Sequence, residues 1–143
     1  MARRTIKAGR ADDSALVADW RDISACYSSL RCDLDRELDD HHGLGMSEFE
    51  VLDRLVEAPA GECRMHTLGD AMYLSQSALS RVVARLEREG LLVRDMCADD
   101  RRSVRVRLTE AGADRHEKAR PTQLAVLARH LREERQPAGD GPA

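Results

Sequence analysis

Residues 75 to 88 combine two kinds of side chain that can do chemistry on a polyanion. Ser77, Ser80, Arg81, Ala84 and Arg88 fall on one side of a helix at 3.6 residues per turn, and Leu79, Val82, Val83 and Leu86 fall on the other. Ser75 is positioned to cap that helix and Gly90 to end it in a left-handed turn. Small hydroxyls and an amide at Ser75, Gln76, Ser77 and Ser80 let a backbone come close to a ligand and hydrogen-bond to base edges or phosphates. Arg81 and Arg85, one turn apart, are spaced to reach flanking phosphates.

A second charged cluster follows at Asp99-Asp100-Arg101-Arg102. It sits in a polar turn between Leu91–Val93 and the alternating run Val104-Arg105-Val106-Arg107-Leu108, whose period of two is that of a half-buried strand. Two strands around this tip predict a β-hairpin, and a planar guanidinium suits the concentrated negative potential of a narrow minor groove.

The elements needed to hold these groups are legible on either side. A short helix is expected over Thr67–Met72, with Leu68 and Ala71 inward, followed by the turn Tyr73-Leu74-Ser75. Helix, turn, helix and hairpin in that order form a winged helix-turn-helix, which enters the major groove of duplex DNA by the N-terminal residues of its second helix. The competing readings are an ordinary solvated arginine face and a winged helix used only for protein contact.

Upstream, Leu16, Trp20, Ile23, Tyr27, Leu30 and Leu34 recur in alternating steps of four and three from a start at Asp12 or Ser14. This heptad spacing lays a narrow apolar seam along a long helix, for a partner helix or for its own domain. His41-His42-Gly-Leu-Gly breaks that helix. Ser47 and Glu50 form an S-x-x-E capping box for the next, with Phe49, Leu52, Leu55 and Val56 as its buried face and Pro59-Ala60-Gly61 as its end. Thr109 starts a further helix, Pro121 interrupts it, and Leu124, Leu127, Ala128 and Leu131 continue at helical spacing. The expected organisation is therefore a flexible basic arm (1–11), an N-terminal dimerisation helix and loop (12–46), the winged helix-turn-helix domain (47–109), C-terminal dimerisation helices (110–135) and a disordered tail (136–143). The fold class is mainly α with a small β-hairpin wing.

Composition sets limits. The 143-residue chain suits one compact domain, or one domain with an appended dimerisation element. It is 34% charged, and no segment is apolar for long enough to span a bilayer or act as a signal peptide, so a cytoplasmic location is expected. Only Lys7 and Lys118 are lysines among 23 basic residues, a bias associated with GC-rich bacterial genomes. The net charge is −3, yet residues 64 to 109 hold nine Arg against six acidic residues, so this segment is +3 and the remainder −6. A local basic patch, and not the total, is what a polyanion meets.

From Ser47 to Gly112 the chain resembles the MarR (multiple antibiotic resistance regulator) family of transcription factors. The resemblance is carried by L-S-Q-S-A-L-S-R-V-V-A-R-L-E-R-E-G and L-L-V-R, then by D-D-R-R-S-V-R-V-R-L-T-E-A-G. It implies a homodimer built from the first and last helices, with Leu16, Trp20, Ile23, Tyr27, Leu124, Leu127 and Leu131 as the candidate interface. Each half would hold one half-site of a pseudo-palindrome in double-stranded DNA. It implies that Gln76, Ser77, Ser80, Arg81 and Arg85 occupy groove- and phosphate-contacting positions, with Thr67 on backbone phosphate. Arg102, beside Arg101, matches the wing arginine, and Asp100 the acidic residue that helps hold the tip. Repression relieved by a small molecule or another signal is the expected regulation. The chain departs from the family pattern in ending within a dozen residues of His130-Leu131, in a Pro/Gly-rich tail.

Sensor chemistry is sparsely encoded. Trp20, Tyr27, Phe49 and Tyr73 are the aromatic residues, and the seam position of Trp20 and Tyr27 favours core packing. Cys26 and Cys32 lie in the long helix, where a cysteine is usually a small buried hydrophobe, although a redox-sensing regulator is the alternative they would support. Cys97 is expected at the wing. Asp39, His41 and His42 could meet a metal with His116 or His130, but their place at a helix end is explained by the helix dipole, so no metal and no cofactor is expected. No glycine-rich phosphate loop, H-E-x-x-H or G-x-S-x-G is present, so no catalytic residue and no enzyme is expected.

Overall fold

A computed structural model describes residues 10–97 and 100–135, excluding the side chains of residues 10, 11, 97, 100–102 and 133–135. The expected arm and tail thus fall almost wholly outside the described residues. So do Asp99 and the side chains of Asp100, Arg101, Arg102 and Cys97.

The order is α1 (Arg10–His42), α2 (Met46–Glu57), a 3-10 turn (Pro59–Gly61), β1 (Glu62–Arg64), α3 (Met65–Met72), α4 (Gln76–Arg88), β2 (Leu92–Cys97), β3 (Asp100–Leu108) and α5 (Glu110–Arg135). The expected hairpin is one strand short of the observed sheet. β1, whose three residues are too few to show a period, pairs antiparallel with β3 (Glu62 opposite Arg107, Arg64 opposite Arg105), giving the order β1-β3-β2. Across that pair Arg105 Nη1 donates to Glu62 Oε1 at 2.9 Å.

Three other expectations are corrected. Ser47 does not cap α2. The helix begins two residues earlier behind Gly45, whose amide donates to Glu48 Oε2 at 3.3 Å, while Asp35 Oδ1 of α1 accepts from Met46 at 2.9 Å. Ser47 Oγ accepts instead from Arg31. Val51 is buried with Phe49, Leu52 and Leu55, whereas Val56, expected on that face, is exposed. Pro121 does not interrupt α5, which runs on for 26 residues. Contacts on both sides of the proline hold the helix to its neighbours: His116 to Asp53, His42 to Thr122 and His130 to Asp33.

The core lies where α1, α2, α4, α5 and the sheet meet. Leu38 and Leu44 of the α1–α2 corner, Phe49, Leu52 and Leu55 of α2, and Leu79, Val83 and Leu86 of α4 are buried in it with Leu92 and Val106 of the sheet. Leu34, the last position of the heptad seam, and Leu38 one turn beyond it are buried in this core, whereas Leu16, Trp20, Ile23 and Tyr27 stand 59–67% exposed. The seam therefore divides, its second half in the chain's own domain and its first half bare. Packing of Trp20 and Tyr27 in the core of this chain is thereby corrected.

Candidate nucleic-acid interface

The second helix of the motif is placed by both its ends and its apolar face. Ser75 has an extended backbone, and its Oγ accepts from the Ala78 amide at 3.2 Å, so the free amides of the first turn are partly satisfied. Tyr73 ends α3 in a left-handed conformation (φ 55°), and Gly90 ends α4 in another (φ 74°). Leu79, Val83 and Leu86 bury one face completely. That leaves Gln76, Ser77, Ser80, Arg81 and Arg88 on the outside, all exposed, with Thr67 exposed on α3.

The sheet flanks this face. Gln76 and Ser80 line a groove of about 520 Å³ with Arg64, His66, Arg94 and Ser103. Sequence reasoning missed Arg64, His66 and Arg94 as members, because β1 was not recognised and Arg94 lies in a strand longer than expected. Arg94 is held in place: its Nη2 donates to Glu87 Oε1 at 2.9 Å, and its amide donates to Glu87 Oε2. The hydrogen bond to Arg94 draws the Glu87 carboxyl below its usual range and raises Arg94 in turn. Asp100, Arg101 and Arg102 are the first residues of β3.

Arg85 is placed differently from its neighbours. Its Nη1 lies 2.8 Å from Glu48 Oε1, a side chain only 9% exposed. Burial is the largest influence on Glu48 and pushes its carboxyl up, against the Gly45 amide and Arg85, which pull it down.

The remaining candidates are dispersed. Cys26 and Cys32 are exposed, not buried as expected of helical cysteines, and burial raises the Cys63 thiol. His41 reaches Glu37, His42 Thr122, His116 Asp53 and His130 Asp33, so the suggested metal residues are drawn to separate partners. Among the described residues no group of three or more His, Cys, Asp and Glu could hold a metal ion, and no helix is long and apolar enough to cross a membrane.

Comparison with known proteins gives this arrangement a lineage. Residues 42–103 match the MarR family model. The chain is 31% identical over 90 residues to the HTH-type transcriptional regulator MhqR of Bacillus subtilis, covering 63% of this chain and 60% of that one. It thus spans about three fifths of the length of the curated relatives it matches. Solved structures extend the likeness over nearly all of the chain. AbsC, a MarR family regulator from Streptomyces coelicolor, is 30% identical with a TM-score of 0.78, over 93% of this chain and 86% of that chain. Sco3205, from the same organism and solved in complex with DNA, is 25% identical with a TM-score of 0.82, over 94% and 82%. Fold, element order and sequence agree: the chain belongs to the MarR family of winged helix-turn-helix transcriptional regulators.

Proposed function

We propose that the chain acts in the cytoplasm as a homodimeric, sequence-specific DNA-binding repressor that leaves its operator when a small molecule or another signal arrives. One observation carries the reading. Gln76, Ser77, Ser80 and Arg81 form an exposed polar and basic face at the start of a helix whose opposite face is buried, beside a groove lined by Arg64 and Arg94. Gln76 and Ser77 would read base edges, with Thr67, Ser75, Ser80 and Arg81 on backbone or groove edge. Arg101 and Arg102, steadied by Asp100, would occupy the minor groove. Leu16, Trp20, Ile23 and Tyr27, with Leu124 and Leu131, are the exposed apolar residues that a second copy would cover, and half-buried Leu127 lies among them. The apolar cleft of about 360 Å³ between α1 and α5 shares Ile23, Tyr27 and Leu131 with that dimer surface, so an effector held there would sit at the seam between the two copies.

Fluorescence anisotropy with the duplex upstream of the chain's own gene and with random duplex, each at two salt concentrations, tests this. Tight binding of one dimer to the upstream DNA alone is expected, weakening steeply with salt. Equal weak binding to both duplexes would return the fold to a protein-contact role.

A further inference from the structure

We propose that Glu48 is a positioning residue for the recognition helix α4, acting through Arg85, and that Arg85 serves this tie and not a phosphate. The inference rests on the DNA-binding reading above.

Glu48 is deeply buried for a carboxylate, 7% exposed, and each of its oxygens has a partner on a different element. Oε1 faces Arg85 of α4 at 2.8 Å, and Oε2 accepts the Gly45 amide at the start of α2. One residue on, Asp35 of α1 accepts the Met46 amide. Polar contacts thus run without a gap from the long helix α1, through the α1–α2 corner, to α4.

The tie does what apolar packing cannot. Leu79, Val83 and Leu86 fix how deep α4 sits, but apolar burial is non-directional and tolerates small rotations. A charge-assisted contact is directional. On a helix rising about 1.5 Å per residue, Arg85 lies about 13 Å from Gln76, so a tilt of ~5° about the tie moves the reading end by about 1 Å. Base-edge hydrogen bonds span a few tenths of an ångström in length, so such a shift breaks them. The pair is enclosed on one side only, Glu48 at 9% exposure and Arg85 at 48%, and fixing one arrangement is a known use of ion pairs that apolar residues could replace.

The test compares wild type with Glu48→Gln, Arg85→Ala, Arg85→Lys and the double variant Glu48→Gln/Arg85→Ala. Dissociation constants are measured on the upstream and random duplexes across a salt series. Glu48→Gln and Arg85→Ala should each reduce the upstream-to-random affinity ratio about tenfold, with the salt slope of wild type. The double variant should lose no more than either single one, and Arg85→Lys should keep most of the ratio. The idea is overturned if Arg85→Ala weakens both duplexes equally with a slope smaller by about one while Glu48→Gln binds like wild type, because Arg85 is then a phosphate contact. A wild type that does not discriminate the duplexes removes the regulator reading by itself. Amide hydrogen exchange without DNA then decides the tie. Faster exchange at Arg85 to Arg88, relative to α2, in both single variants sustains it, and unchanged exchange overturns it.

Discussion

His116 Nε2 lies 2.7 Å from Asp53 Oδ1, and its ring stacks on Phe49 with centroids 5.1 Å apart. This contact fastens α5 onto α2 inside the core, for His116 is only 4% exposed. Removing the acceptor strands a buried ring nitrogen, which costs about 1–3 kcal/mol. Asp53→Ala should lower the urea midpoint accordingly at unchanged slope. A midpoint equal to wild type would show that Phe49 and the surrounding leucines suffice.

Two carboxylates should shape the acid and neutral limbs of stability with opposite signs. The Glu48 carboxyl is raised, chiefly by burial, so its contribution is fully present below about pH 4.5 and is lost as pH rises through the folded value. Asp33 is lowered, first by its hydrogen bond with His130, so its contribution is present above pH 3.8 and is lost as pH falls. Glu48→Gln should therefore gain on wild type between pH 4 and 8, and Asp33→Asn should flatten the acid limb. Urea midpoints across that range read both. A Glu48→Gln profile parallel to wild type would mean that Arg85 fully offsets the burial of the charge.

The junction between wing and α5 is held by one hydroxyl on two backbone groups and by close backbone approach. Thr109 Oγ1 donates to the Gly90 carbonyl at 2.6 Å and accepts from the Gly112 amide at 3.0 Å. A Cβ on Gly112 would collide with the carbonyl of Leu91, which cannot swing aside as a side chain could, and would also come within 2.8 Å of Leu108 Cδ1. Gly112→Ala should cost about 3 kcal/mol or more, the upper end for overpacking. Gly90→Ala meets open space and should cost only the ~1–2 kcal/mol of a left-handed backbone. Thermal unfolding that ranks them the other way would refute the backbone-contact account.

On the exposed face of α4 the two chemistries should separate. Gln76→Ala should narrow the preference for upstream DNA while leaving the salt slope unchanged, as expected of a base-edge contact. Arg81→Ala should weaken all duplexes alike and reduce the slope by about one. Uniform loss from Gln76→Ala would assign that residue to the backbone as well.

Elements with a full repeat of their period were legible in the sequence. α4 is one, since Leu79, Val83 and Leu86 on one side and Ser77, Ser80 and Arg81 on the other define both its burial and its exposed chemistry. The alternation of Val104, Val106 and Leu108 did the same for β3. What escaped was short or set by distant partners. β1 spans three residues and exists because β3 pairs with it. The start of α2 moved because Asp35, eleven residues away, supplies a cap that no local pattern encodes. Pro121 reads as a break, but α1 and α2 hold α5 on both sides of it. Likewise the contact between Arg85 and Glu48 was hidden, as the phosphate-facing spacing was visible and the buried partner was not.

The divided seam of α1 yields the remaining prediction. Leu34 and Leu38 are buried in the chain's own core, yet Leu16, Trp20, Ile23 and Tyr27 continue the same stripe in the open, with Leu124 and Leu131 of α5 also exposed. A stripe of large apolar side chains at heptad spacing marks a helix-to-helix interface, and two copies of one chain satisfy it by two-fold symmetry. Wild type should elute as a dimer by size exclusion with light scattering. Ile23→Glu places a charge in the middle of the stripe and should yield a folded monomer of normal helical content. Its DNA affinity should fall by orders of magnitude, because each recognition helix then binds its half-site without the other's effective concentration. A monomeric wild type that still binds the upstream duplex tightly would place the dimerisation role of α1 in error and leave the stripe for a different partner.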